Sequence, residues 1–137
     1  MGIADDEDAQ QGNRKHIFAI NHEPEFLDIL RELLQDERYN VTTTNYVPRT
    51  WDQIAALQPS LLLIDLAPHS QAAWNLLERL HVEGVTGRIP IVVTSTDPRL
   101  LERARQEGGR YGGDAFVAKP LDIDVLLDAI RALIGPA

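Results

Sequence analysis

Short apolar runs alternate along the chain with stretches where apolar residues recur every three or four positions. Ile17-Phe18-Ala19-Ile20 is apolar throughout and predicts a buried strand. From Glu23 to Glu37, Phe26, Leu27, Leu30, Leu33 and Leu34 fall at helical spacing, with Pro24 suited to the first turn. Asn40 to Thr44 predicts a weaker, edge strand, and Thr50 to Leu57 a short helix with Trp51, Ile54 and Leu57 inward. Leu61-Leu62-Leu63-Ile64 is a second unbroken apolar run, and it ends in Asp65. Ala72 to Val82 is helical, with Trp74, Leu77 and Leu80 on one side. Ile89 to Val93 predicts the next strand, followed by Thr94, Ser95 and Thr96. Pro98 opens a helix through about Glu107, and Ala115-Phe116-Val117 is the last strand. Asp122 caps a final helix that carries Leu126, Leu127, Ile130, Leu133 and Ile134.

Strands that are apolar on both faces and joined by helices imply a parallel sheet covered on both sides. Right-handed crossovers then give a single doubly wound α/β domain of five parallel strands, flavodoxin-like, in the order 2-1-3-4-5. Chemistry in such sheets collects at the carboxyl ends of the strands. That rule selects Asn21 and His22, Asp65, Ser95 and Thr96, and Lys119, the polar residues just past four of the predicted strands.

Composition narrows the classes. A chain of 137 residues fits one domain with a core of its own. Without cysteine there are no disulfides, thiolate metal sites or thiol catalysis. The first residues, with Asp5, Asp6, Glu7 and Asp8 together, read as a disordered acidic tail over 1–14, leaving a domain over 15–137. They resemble neither a signal nor a transit peptide, and no apolar run approaches the roughly 20 residues of a membrane span. A cytoplasmic location without membrane contact is the expectation. The net charge of −8 argues against nucleic-acid binding. Arg99, Arg103, Arg105 and Arg110 read as a solvated helix face rather than a basic stripe.

A carboxylate, a lysine and a hydroxyl in one cleft are what phosphoryl transfer to a carboxylate requires. The carboxylate is the nucleophile. The ammonium offsets charge on the phosphoryl oxygens, and the hydroxyl donates a hydrogen bond to one of them. Four stretches, in this order and spacing, make residues 16 to 134 resemble the receiver domains of response regulators: Ile-Asn-His-Glu-Pro-Glu (20–25), Leu-Leu-Leu-Ile-Asp-Leu (61–66), Ile-Pro-Ile-Val-Val-Thr-Ser-Thr (89–96) and Gly-Gly-Asp-Ala-Phe-Val-Ala-Lys-Pro (112–120). The resemblance implies that Asp65 accepts a phosphoryl group from a histidine kinase or phosphotransfer protein. It implies that Lys119, Ser95 and Thr96 contact that group, with Thr94 a register alternative to Ser95. It implies that the Lys119–Pro120 bond is often cis. Phe116 is either the aromatic that changes rotamer on activation or plain core. The fourth helix, last strand and last helix would dock a downstream protein; a homodimer is compatible with the resemblance. Because the last helix runs into Ile134-Gly135-Pro136-Ala137, a stand-alone receiver of a phosphorelay is expected, and an independent enzyme is not. Ala67 stands where a haloacid-dehalogenase-type phosphatase needs a second aspartate, and there is no Walker-type glycine loop.

The family normally places two acids after the first strand to hold magnesium; this chain has Asn21 and His22. Magnesium prefers oxygen ligands and carboxylate charge, so one carboxylate of the usual three remains, Asp65. Weak magnesium binding there, if any, is the expectation, with no other cofactor. His22 is read first as a loop histidine; an imidazolium in place of metal charge, a ligand for a softer ion, or a block to magnesium are the alternatives. Pro68 comes one residue early, His69 takes its usual place, and Ala73 replaces a glycine, which predicts a reshaped loop. The stretch from Gln106 to Gly113 is slightly longer than usual. The runner-up reading is a degenerate receiver that acts as a phosphorylation-independent interaction module.

Overall fold

The computed structural model describes residues 14–46 and 48–136, so the expected acidic tail lies outside the described residues except for Arg14. Five strands, β1 (His16–Ile20), β2 (Asn40–Thr44), β3 (Leu61–Asp65), β4 (Ile91–Ser95) and β5 (Ala115–Ala118), form one parallel sheet in the order β2-β1-β3-β4-β5. Among the described residues six helices cover it: α1 (Pro24–Asp36), α2 (Thr50–Leu57), α3 (Gln71–Val82), α4 (Pro98–Gln106), the single turn α5 (Gly108–Tyr111) and α6 (Ile123–Ile134). The fold is the doubly wound one expected from the strand–helix alternation. β2 is the expected edge strand, half-buried along its length.

Side chains in a strand alternate between faces, and in-register neighbours share a face. That rule divides the core in two. Ile17, Ala19, Leu61, Leu63, Val92 and Val117 face α1 and α6 through Leu27, Leu30, Leu34, Leu126, Leu127 and Ile130. Phe18, Ile20, Leu62, Ile64, Ile91 and Val93 face α3 and α4 through Trp74, Leu77, Leu80, Leu101 and Ala104. Each fully buried branched side chain contributes about 1.5–3 kcal/mol by leaving water. The helices are started by local chemistry. Pro24 opens α1, the Asp97 carboxylate accepts from Arg99 N at the start of α4, and Asp122 accepts from Asp124 N and Val125 N at the start of α6.

Two expected core leucines are exposed. Leu33 is 38% exposed because the sheet-facing stripe of α1 runs through Leu27, Leu30 and Leu34, and Leu33 lies about 100° around the helix from Leu34. Leu57, 47% exposed, is the last residue of α2; Gln58 then turns into the left-handed region at φ 48°. Trp51 is half-buried beneath the Arg79 guanidinium, 3.9 Å from its ring centroid. β4 starts at Ile91 rather than Ile89, and the Asp114 carboxylate accepts from Ile91 N at 2.8 Å. The long stretch from Gln106 to Gly113 holds the extra turn α5, which sequence periodicity missed; it buries Tyr111 against Trp74. The arginine cluster forms ion pairs on the surface, Arg103 with Glu107, Arg105 with Glu102 and Arg110 with Glu78.

Candidate functional site at the carboxyl edge of the sheet

The face of the sheet under α1 and α6 is apolar until its carboxyl edge, and there it turns polar. Asp65 ends β3 and pairs with Thr94 of β4. Asn21 is the next residue after Ile20, which pairs with Ile64, so Asn21 stands beside Asp65. Lys119 lies two residues beyond Val117, the partner of Thr94. Strand alternation therefore aims Asn21, Asp65, Thr94 and Lys119 at one side of the sheet.

The contacts bear this out. Lys119 Nζ lies 2.8 Å from Asp65 Oδ1, and both side chains are less than a tenth exposed. Thr94 Oγ1 donates to the same oxygen at 3.0 Å. The Lys119 ammonium also sits 4.1 Å from the Phe26 ring centroid on α1. The Lys119–Pro120 peptide is cis. Buried charges persist when they are paired and hydrogen-bonded, as this pair is.

Ser95, the hydroxyl selected by family spacing, is one residue out of phase and points to the opposite face. It donates to Leu66 O at 2.5 Å and accepts from Asp97 N at 3.1 Å. The hydroxyl on Asp65 is therefore that of Thr94, the register alternative. Thr96 is exposed and lies beyond the end of β4. Phe116, half-buried, shares the face of Val93 and Ser95, with the Arg105 guanidinium 5.1 Å from its ring centroid.

Gly113 fixes one side of that ring. Its φ is +94°, and a Cβ there would meet Phe116 Cζ at 2.9 Å. Gly113→Ala is expected to cost about 1–3 kcal/mol and to displace the ring. Thermal unfolding and the Phe116 ring-proton shifts check this, and unchanged values in both would show that the backbone here accepts a side chain.

Tyr46, in the loop after β2, is a site residue that sequence reasoning missed. Its hydroxyl donates to the Asp65 main-chain carbonyl. Burial, and then the Asp65 charge, raises its phenol above the ordinary value of 10.0, so it stays protonated throughout the neutral range. His22 stacks on Tyr46 with ring centroids 4.6 Å apart, and its Nε2 lies 3.1 Å from Ser70 Oγ. The loop that brings Ser70 there passes through His69 at φ +64°, a left-handed conformation that disfavours a side chain.

These residues do not fit a magnesium ion. Asn21 Oδ1 is a neutral amide oxygen without the carboxylate charge magnesium prefers, and it accepts from Glu23 N at 2.9 Å. That bond fixes the amide's orientation and leaves Asn21 Nδ2 enclosed with no hydrogen-bond partner, in a residue 2% exposed. An enclosed unpartnered donor costs about 1–3 kcal/mol. His22 offers a nitrogen, and the cation that does touch Asp65 is Lys119. Among the described residues, no group of three or more His, Cys, Asp or Glu side chains is placed to hold a metal ion.

The 2-1-3-4-5 parallel sheet with this polar edge defines a CheY-like doubly wound domain. The chain belongs to the response regulator receiver domain family, whose family model matches residues 17–131, and is thus a module of two-component signalling. It is 24% identical over 118 residues to the DNA-binding dual master transcriptional regulator RpaA of Synechocystis sp., covering 86% of this chain and 48% of that protein. It is 25% identical over 108 residues to the response regulator GtcR of Aneurinibacillus migulanus, covering 79% of this chain and 43% of that protein. The chain spans about half the length of the curated relatives it matches. Among solved structures it is similar to the chemotaxis protein CheY4 of Vibrio cholerae, with TM-score 0.75 at 16% identity over 88% of this chain and 98% of that one. It is also similar to the signal receiver domain of a DNA-binding response regulator from Colwellia psychrerythraea, with TM-score 0.74 at 19% identity over 88% of this chain and 98% of that one. No helix among the described residues is long and apolar enough to cross a membrane.

Proposed function

We propose that this receiver accepts a phosphoryl group on Asp65 from a phosphohistidine of a partner kinase or phosphotransfer protein. The Lys119–Asp65 contact of 2.8 Å, with Thr94 on the same carboxylate oxygen, carries the reading. A carboxylate oxygen of Asp65 attacks phosphorus, the P–N bond of the donor breaks, and the imidazole leaves with the bonding electrons and takes up a proton. Lys119 offsets the charge that builds on the phosphoryl oxygens; a donor in such a position is worth roughly 10²–10³ in rate. Ser95 would have to release Leu66 O to reach the new group, which would make the β4–α4 connection the element that registers it. A downstream protein would then dock on the face formed by α4, β5 and α6.

The experiment is incubation with acetyl phosphate, read by mass as the gain of one phosphoryl group. Wild type is expected to be labelled and Asp65→Asn not. Because two of the usual three carboxylates are missing, labelling is expected to respond little to magnesium. Asn21→Asp combined with His22→Asp is expected to create a strong magnesium dependence. A double variant that ignores magnesium would place these residues outside the phosphoryl pocket. The same missing acids favour a second reading, a receiver that binds its partner without turning over phosphate. A chain labelled under no condition, yet retaining its partner in Asp65→Asn, is that receiver.

A further inference from the structure

The polar row beside Asp65 is short of cation ligands and rich in donors. Asn21 Oδ1 accepts from Glu23 N, which orients the amide and leaves its NH₂ enclosed without a partner. Thr94 presents a hydroxyl and Lys119 an ammonium. All three lie on the side of the sheet that Asp65 faces. Lys119 and Thr94 meet at one oxygen of Asp65, and Asn21 stands beside Asp65 on the same face; donors gathered at one edge favour an anion.

We propose that this row is a metal-free site for a tetrahedral oxyanion, in which Asn21 Nδ2 is a catalytic donor to the phosphoryl oxygens in the place where the family uses a divalent ion. The inference rests on the phosphoacceptor reading of Asp65 and adds how the charge is met. The enclosed amide, idle in the resting state, acquires its acceptor when the phosphoryl group arrives. Asn21 is suited to this only as an amide. An aspartate at 21 presents no donor and adds repulsion to the incoming oxygens. With acetyl phosphate as donor, an Asp65 oxygen attacks phosphorus, the P–O bond to the acetyl group breaks, and acetate leaves with the electron pair. No metal enters that balance.

The test uses the full chain in excess EDTA, with two readouts: the rate of phosphoryl gain from acetyl phosphate, and the side-chain amide resonances of Asn21 as inorganic phosphate is added. Labelling in EDTA with a downfield shift of the Asn21 amide protons on labelling supports the proposal. So does a drop of about 10-fold or more in metal-free rate in both Asn21→Ala and the near-isosteric Asn21→Asp. Folding of each variant is checked by its thermal transition, and the wild-type shift needs no variant at all. Labelling that requires magnesium, variants as fast as wild type in EDTA, or an Asn21 amide unmoved by labelling overturns the proposal and leaves the phosphoacceptor reading standing. No labelling under any condition removes the phosphoacceptor reading and overturns the catalytic role of Asn21 with it, even where inorganic phosphate shifts the Asn21 amide. No labelling and no shift overturns both.

Discussion

Lys119→Met is expected to lower the unfolding free energy by about 2–4 kcal/mol, and the double variant Asp65→Asn/Lys119→Met to recover most of that loss. The reasoning is electrostatic. Lys119 and Asp65 are each less than a tenth exposed and sit 2.8 Å apart. Removing the ammonium leaves a desolvated carboxylate with one hydroxyl donor, Thr94, on its Oδ1. Methionine keeps an apolar stem near Phe26, where the ammonium now lies, so the loss reports charge more than packing. Neutralising Asp65 as well removes the unpaired charge, and the two changes are strongly non-additive because the residues touch. Urea unfolding of the four proteins of the cycle measures the coupling. Stability of Lys119→Met equal to wild type, or a double variant no better than the single, would show that water already reaches the pair. The same single variant is expected to lose roughly 10²–10³ in labelling rate.

Phe18→Ala is expected to cost about 3–5 kcal/mol, a large share of the roughly 5–15 kcal/mol that holds an ordinary domain folded. Phe18 is fully buried in β1, an interior strand of the sheet between β2 and β3. It packs in the core shared by α3 and α4, whose helices would have to close over the vacated volume. For a chain of this length the thermal midpoint falls by roughly 10–20 °C. Val125, 51% exposed on α6, is the matched control, and Val125→Ala should change stability by less than about 0.5 kcal/mol. Calorimetric midpoints of the two variants give the comparison. A Phe18→Ala protein that melts within a few degrees of wild type would mean the core closes over the gap, contrary to its close packing.

The sheet was legible in the sequence because its strands have no ambiguity of face. Leu61 to Ile64 is apolar at every position, and so short a run fits a strand covered on both sides. Helix faces were legible to within one residue, and Leu33 and Leu57 mark that limit, since a leucine at the margin of a stripe looks the same in sequence as one at its centre. The site was read from strand ends, which found Asn21, Asp65 and Lys119. Choosing between Thr94 and Ser95 needed strand register, because a shift of one residue moves a side chain to the other face. Tyr46 escaped because it follows the edge strand, whose polar sequence NVTTT drew no attention to its end, although the strand-end rule covers β2 as well. The orientation of the Asn21 amide was beyond any sequence pattern, since it depends on one backbone N–H two residues on.

Thr94 and Ser95 are joined by a single peptide unit and look into different halves of the molecule. One touches the acid; the other lies on the side of Phe116 and α4. The acid and the opposite, α4-covered half of the core are thus a single residue apart along β4, with no relay of further side chains between them.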